Sequence, residues 1–125
     1  MYLKSIQRIN PQAPEEAPKY YASAVHDARV ELDELASRVA ESCSIRRADV
    51  YGVLVALMDI IPDLLLDGNI VTLGELGSFY TTVSSDGVEN EEELSTTMIR
   101  NSFIRYRPTK ALRKKLRAID YTFVS

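Results

Sequence analysis

From Leu32 onward the apolar positions recur with a helical period: Leu32, Leu35, Ala36, Val39, Ala40 and Cys43 fall at i, i+3, i+4, i+7, i+8 and i+11. That spacing lays one apolar stripe along a helix and predicts a first helix over 31–43. After a short break at Ser44-Ile45 the pattern loses its polar side. Residues 47–66 carry Val50, Val53, Leu54, Val55, Leu57, Met58, Ile60, Ile61, Leu64, Leu65 and Leu66, apolar on nearly every face, with Pro62 forcing a kink or a restart. A helix that is apolar all round has to be covered all round. In so short a chain, one further helix and a few strands cannot supply that cover. A second copy of the chain is therefore expected to provide the missing walls, making an obligate dimer.

Asp67-Gly68-Asn69 stops the second helix with turn chemistry, and a β-rich stretch follows from Ile70 through Phe79, Tyr80 and Val83. Gly74 and Gly77 punctuate it as a tight turn or bulge would. Residues 84–97 are a polar connection. A returning strand is expected over roughly 98–107, and Pro108-Thr109 opens a last short helix with Ala111, Leu112 and Leu116. Ahead of the helices, residues 1–10 suit a strand better than a helix. Pro11, Pro14 and Pro18 make 11–18 an exposed loop, and Lys19 to Val25 has the aromatic content of a strand that pairs back on the first. The expectation is an α+β chain, with a small β extension over 1–29 and a main domain over 30–125.

The 125 residues, 46% hydrophobic, suit one compact domain or a domain with an extension. Fifteen Lys and Arg against 18 Asp and Glu give a net charge of −3, which excludes a uniformly basic coat. One cysteine, Cys43, and one histidine, His26, rule out an internal disulfide framework and a zinc site of the usual kind. Neither a signal-like apolar region at Met1 to Asn10 nor a membrane-length apolar run is present, so the cytoplasm is the expected compartment.

Charge segregation changes this picture most. Asp67 to Thr97 holds Asp67, Glu75, Asp86, Glu89, Glu91, Glu92 and Glu93 without a base. Arg100 to Arg117 then holds eight bases without an acid. Arg100, Arg105, Arg107, Lys110, Arg113 and Lys114 would set fixed positive charge along the returning strand and final helix, where phosphates are neutralised and counterions released. The competing reading is a solvated surface that balances the acidic stretch beside it. The acids at 89–93 lack the Asp/Asn ladder and glycine of a calcium loop, so no metal is expected. His26-Asp27 has no nucleophile or second carboxylate pair to serve, and Cys43 reads as a small core residue, so nothing indicates an enzyme or a cofactor. The two helices do not read as a helix-turn-helix either, because Val53 to Met58 offers a DNA groove no polar side chain.

Two segments carry a resemblance. Val71-Thr72-Leu73-Gly74-Glu75-Leu76-Gly77-Ser78-Phe79 resembles the strand-turn-strand, and Tyr106-Arg107-Pro108-Thr109-Lys110-Ala111-Leu112-Arg113 the returning strand and final helix, of the HU and integration-host-factor family of bacterial nucleoid proteins. With the two helices the resemblance covers about 30–118 and is closest to HU-related proteins with an N-terminal extension from Bacteroidetes-type bacteria. It implies an intertwined homodimer whose two β-arms reach around the minor groove of bent double-stranded DNA, with an architectural, nucleoid-organising role. The family's basic positions carry over to Arg107 and Lys110. Arg100 and Arg105 match only in lying on the arm's returning side. The departure is at the arm's tip, where the family has a basic stretch with an Asn-Pro wedge and residues 84–97 have five acids, no base and no proline. Either the arm is shortened and folded away while the body still binds DNA, or the fold serves another purpose, such as a scaffold for protein partners.

Overall fold

The computed structural model describes residues 1–124, with elements β1 (Tyr2–Arg8), β2 (Lys19–Val25), α1 (Leu32–Glu41), α2 (Arg47–Leu66), β3 (Val71–Thr72), β4 (Gly77–Ser85), β5 (Ile99–Pro108), α3 (Lys110–Leu116) and β6 (Thr122–Phe123). Two three-stranded sheets result, ordered β2-β1-β6 and β3-β4-β5. The class is mixed α+β.

The extension is the expected hairpin: β1 and β2 pair antiparallel in unbroken register from Tyr2 opposite Val25 to Arg8 opposite Lys19. Its third strand comes from the far end of the chain. β6 runs parallel to β1, with the Thr122 amide donating to the Met1 carbonyl at 3.1 Å and the Val124 amide to the Leu3 carbonyl at 2.9 Å. A two-residue strand has no period to read, so nothing in the apolar pattern marks it.

The helices form where the apolar spacing placed them. α1 ends at Glu41, two residues short of the expected end, and Cys43 lies beyond it, exposed in the single chain rather than packed as a small core residue. Ser42 Oγ donates to the Arg38 carbonyl at 3.1 Å, a competing bond that suits a helix end. Arg47 at the start of α2 reaches back to α1, donating from Nε to Ser37 Oγ at 2.8 Å and pairing with Asp33. α2 continues through Pro62 without a restart. Proline has no N–H to give the carbonyl one turn back, and the helix nevertheless runs on to Leu66, where its C-terminus is capped. The Asn69 amide donates to the Leu64 carbonyl at 3.0 Å and the Gly68 amide to Leu65 at 3.1 Å, with Gly68 at φ 89°, the left-handed stop that glycine adopts without strain.

Burial is sparse. Among the described residues only Ala36, Val50 and Leu65 are buried apolar ones, and α2 leaves Val53, Met58 and Ile60 more than half exposed. The single chain exposes 10755 Å², whereas surface scaling for a compact monomer of 14.1 kDa gives roughly 6,700 Å². The difference is apolar helix face, an uncovered hairpin and an extension sheet open on both sides.

Candidate nucleic-acid interface

The basic segment is held in place by the turn at Gly74–Leu76, a single 3-10 turn between β3 and β4. Gly77 leaves that turn at φ 134°, and a Cβ there would lie 2.3 Å from the Arg107 carbonyl oxygen and 2.9 Å from Tyr106 Cε1. Only glycine lets β5 close on β4 at this point. The turn's own carbonyls then anchor the end of β5 and the start of α3. Tyr106 Oη donates to the Leu76 carbonyl at 2.6 Å, and Thr109 Oγ1 donates to the Glu75 carbonyl. Thr109 is also the N-cap of α3, accepting from the Leu112 amide at 3.2 Å. Phe79 packs on Tyr106 with ring centroids 5.0 Å apart.

The register of β4 and β5 sorts their side chains onto two faces. Phe79, Thr81, Val83, Ile104 and Tyr106 share one, and Thr81 Oγ1 donates from it to the Leu65 carbonyl at the end of α2 at 2.9 Å, which turns this face toward the helices. The opposite face carries Ser78, Tyr80 and Thr82 from β4 with Phe103, Arg105 and Arg107 from β5. Arg105 lies over the Phe103 ring at 4.7 Å and donates from Nε to Thr82 Oγ1 at 3.3 Å, so its guanidinium is oriented but its charge is not neutralised. Arg107 shares a hollow of about 310 Å³ with Ile70, Ser78 and Tyr80.

On α3 the bases fall at i, i+3, i+4 and i+7. Lys110, Arg113, Lys114 and Arg117 thus form one stripe, lining a common hollow of about 400 Å³. Arg117, at the C-cap of α3 and outside the six residues read from the sequence, joins this stripe through the helical spacing. Lys115 turns to the other side, beside Glu75, Leu76, Ala111 and Leu112. Arg105, Arg107, Lys110, Arg113 and Lys114 are all exposed, and among the described residues none is in an ion pair within 4.0 Å.

Arg100 is not brought together with them. The register jumps from Ser84 opposite Asn101 to Ser85 opposite Ile99, so Arg100 is the extra residue of a bulge at the far end of the hairpin. Its Nε lies 3.2 Å from Asp86 Oδ1, and its guanidinium donates to the Ser85 carbonyl at 3.5 Å. The acidic stretch beyond folds into two single 3-10 turns, Glu91–Glu93 and Thr96–Met98. Among the described residues no three His, Cys, Asp or Glu side chains converge as a metal site requires, and no helix is long and apolar enough to cross a membrane.

Residues 2–122 match the model of a family described as an HU domain fused to a wHTH, Ig or glycine-rich motif, HU-HIG. The chain belongs to the HU-HIG family. Two solved structures share its fold. An Anabaena HU–DNA cocrystal structure is 24% identical over 70% of this chain and 97% of that one, with a TM-score of 0.55. A crystal structure of a putative bacterial DNA-binding protein from Bacteroides vulgatus is 14% identical with a TM-score of 0.59 and covers 98% of this HU-HIG chain, extension included. The HU-HIG chain spans 48% of the length of that Bacteroides protein. Among curated proteins none matches.

Proposed function

We propose that this HU-HIG chain binds double-stranded DNA without a base-sequence code, as a homodimer with an architectural, nucleoid-organising role in the cytoplasm. The domain over 30–125 carries the interface and residues 1–29 form an appended unit. The observation that carries this reading is the exposed, unpaired set Arg105 and Arg107 on one face of the β4–β5 hairpin with Lys110, Arg113 and Lys114 on α3. Fixed cations without carboxylate partners are free to replace the counterions of a phosphate backbone. In this reading affinity comes from backbone contact and from the deformability of the duplex. Fold kinship with an HU caught on DNA supports the same reading.

Dimerisation is supported by the uncovered apolar face of α2 and the surface excess of the single chain. Obligate homodimer interfaces bury about 2,000–5,000 Å² in total and resemble a core cut in half, the character of a helix that leaves Val53 and Ile60 uncovered on one side and Met58 on another. Sedimentation of the full chain checks it: a single dimer-sized species at micromolar concentration is expected, shifted toward monomer or aggregate by Met58→Glu. A well-behaved monomer would remove the dimer from the proposal.

DNA binding is tested by fluorescence anisotropy of a short labelled duplex over a salt series, with a variant carrying Arg107→Ala and Lys110→Ala. The expected log–log slope is several units and falls by about 0.9 for each phosphate that the variant no longer neutralises. The second reading, an HU-fold scaffold with weak DNA binding, is favoured by the acidic hairpin end, where Arg100 is already paired with Asp86. A stable dimer that ignores the duplex at low salt would select it.

A further inference from the structure

The extension sheet has two unlike faces. From the register of β1 and β2, one face carries Leu3, Ser5, Gln7, Tyr20, Ala22 and Ala24 and no charge. The other carries Tyr2, Lys4, Ile6 and Arg8 from β1 with Lys19, Tyr21, Ser23 and Val25 from β2. All three cations of the two strands lie on that second face, neither strand holds a carboxylate, and Lys4, Arg8, Lys19, Tyr2 and Tyr21 are exposed. Arg8 and Lys19 are directly opposite partners. Like charges at such a position repel and destabilise the pair, in a chain whose acids outnumber its bases. The loop after β1 curls over this end, so Arg8, Asn10, Lys19 and Tyr21 share a hollow of about 380 Å³ with Ile9, Pro11, Glu16 and Ala17. Glu16 lines the hollow without pairing to either cation within 4.0 Å.

We infer that the Lys4–Arg8–Lys19 face of the extension is a second contact for the phosphate backbone of duplex DNA, apart from the β5–α3 set. Charge complementarity selects the occupant. An anion seated between Arg8 and Lys19 relieves their repulsion, Asn10 and Tyr21 supply neutral donors, and Lys4 sits four residues along the same strand, about 14 Å at strand rise, where a further phosphate of a continuous backbone is met. A free phosphate fills only the hollow and leaves Lys4 unused. The inference rests on the DNA-binding reading above and extends it to the part of the chain that the HU body does not include.

The test is anisotropy of the labelled duplex with the full chain and with a variant carrying Lys4→Gln, Arg8→Gln and Lys19→Gln, over a salt series. The expected result is a log–log slope lowered by about two to three units, at about 0.9 per phosphate, and an affinity reduced at least tenfold at low salt. Arg8→Lys keeps the charge and is expected to retain binding, as is Gln7→Ala on the uncharged face. Without DNA the triple variant should unfold at or above the parent's midpoint, since it removes a repulsion; a lower midpoint would overturn the argument from opposed charges. If the triple variant keeps the parent's slope and affinity while Arg107→Ala with Lys110→Ala loses them, the extension contact is refuted and the interface on β5 and α3 stands. If the parent shows no salt-dependent binding, both fall. Inorganic phosphate at millimolar concentration that erases the difference between parent and triple variant would reduce the site to a small-anion pocket and overturn the backbone contact.

Discussion

The two ends of the β4–β5 hairpin are built by opposite means. At the base, Gly77, Tyr106 and Thr109 lock strand, turn and helix together through a close backbone approach and two side-chain bonds to the carbonyls of one turn. At the far end a bulge, one exposed ion pair and two short turns suffice, and the local charge is negative. The difference teaches where precision is required. The exposed cations of β5 and α3, which we propose meet phosphates at fixed spacing, sit next to the rigid end. The acidic end has no such geometry to keep, and at short range it repels the same phosphates.

The comparison breaks most severely at Gly77. Gly77→Ala places a methyl 2.3 Å from the Arg107 carbonyl at a backbone angle that side chains avoid, and a loss of about 2–4 kcal/mol in urea unfolding is expected. Gly87→Ala, at the other end with nothing within 4 Å of its Cβ position, should stay within about 0.5 kcal/mol of the parent. Equal effects at the two glycines would contradict the contrast. Next in size, Arg107→Ala with Lys110→Ala is expected to weaken duplex binding at least tenfold, while Arg100→Ala is expected to change it less than twofold because that side chain sits at the far end of the hairpin beside Asp86, away from the other cations; anisotropy at fixed salt separates the two. Tyr106→Phe removes the bond to the Leu76 carbonyl and keeps the stacking on Phe79, so thermal unfolding should show a cost of about 1 kcal/mol. Smallest, Glu91→Gln with Glu92→Gln and Glu93→Gln should raise duplex affinity about two- to threefold in dilute buffer and not at all above about 0.3 M salt, where screening removes long-range repulsion. A gain that persists in high salt would mean the acids touch something directly.

Much of this architecture is legible in the sequence because it is local. The apolar spacing from Leu32 to Leu66 marks both helices, the prolines at 11, 14 and 18 mark the exposed loop, and the two glycines around Leu76 mark the turn that organises the site. The eight bases after Thr97 point to the candidate interface, yet their count hides how they divide. Arg100 lies five residues from Arg105, so strand alternation alone sets the two on opposite faces, and the bulge that isolates Arg100 further depends on strand pairing that composition does not record. Cys43 reads as buried only when the periodic stripe is extended past the residue where α1 stops. The β6 partner of β1 is invisible for a different reason: Thr122-Phe123 gains its identity as a strand only from residues at the opposite end of the chain.

That parallel pairing also orders events in time. Tyr2 and Thr122 meet across about 120 residues, and closing a loop of that length in an unfolded chain costs roughly 4 kcal/mol of entropy plus a constant. Two residue pairs cannot offset such a cost, so β6 docks only after the helices and the β4–β5 hairpin have shortened the effective loop. The docking of β6 is therefore expected last during folding, after the local β1–β2 hairpin, and pulling on both ends of the chain is expected to peel β6 from β1 first.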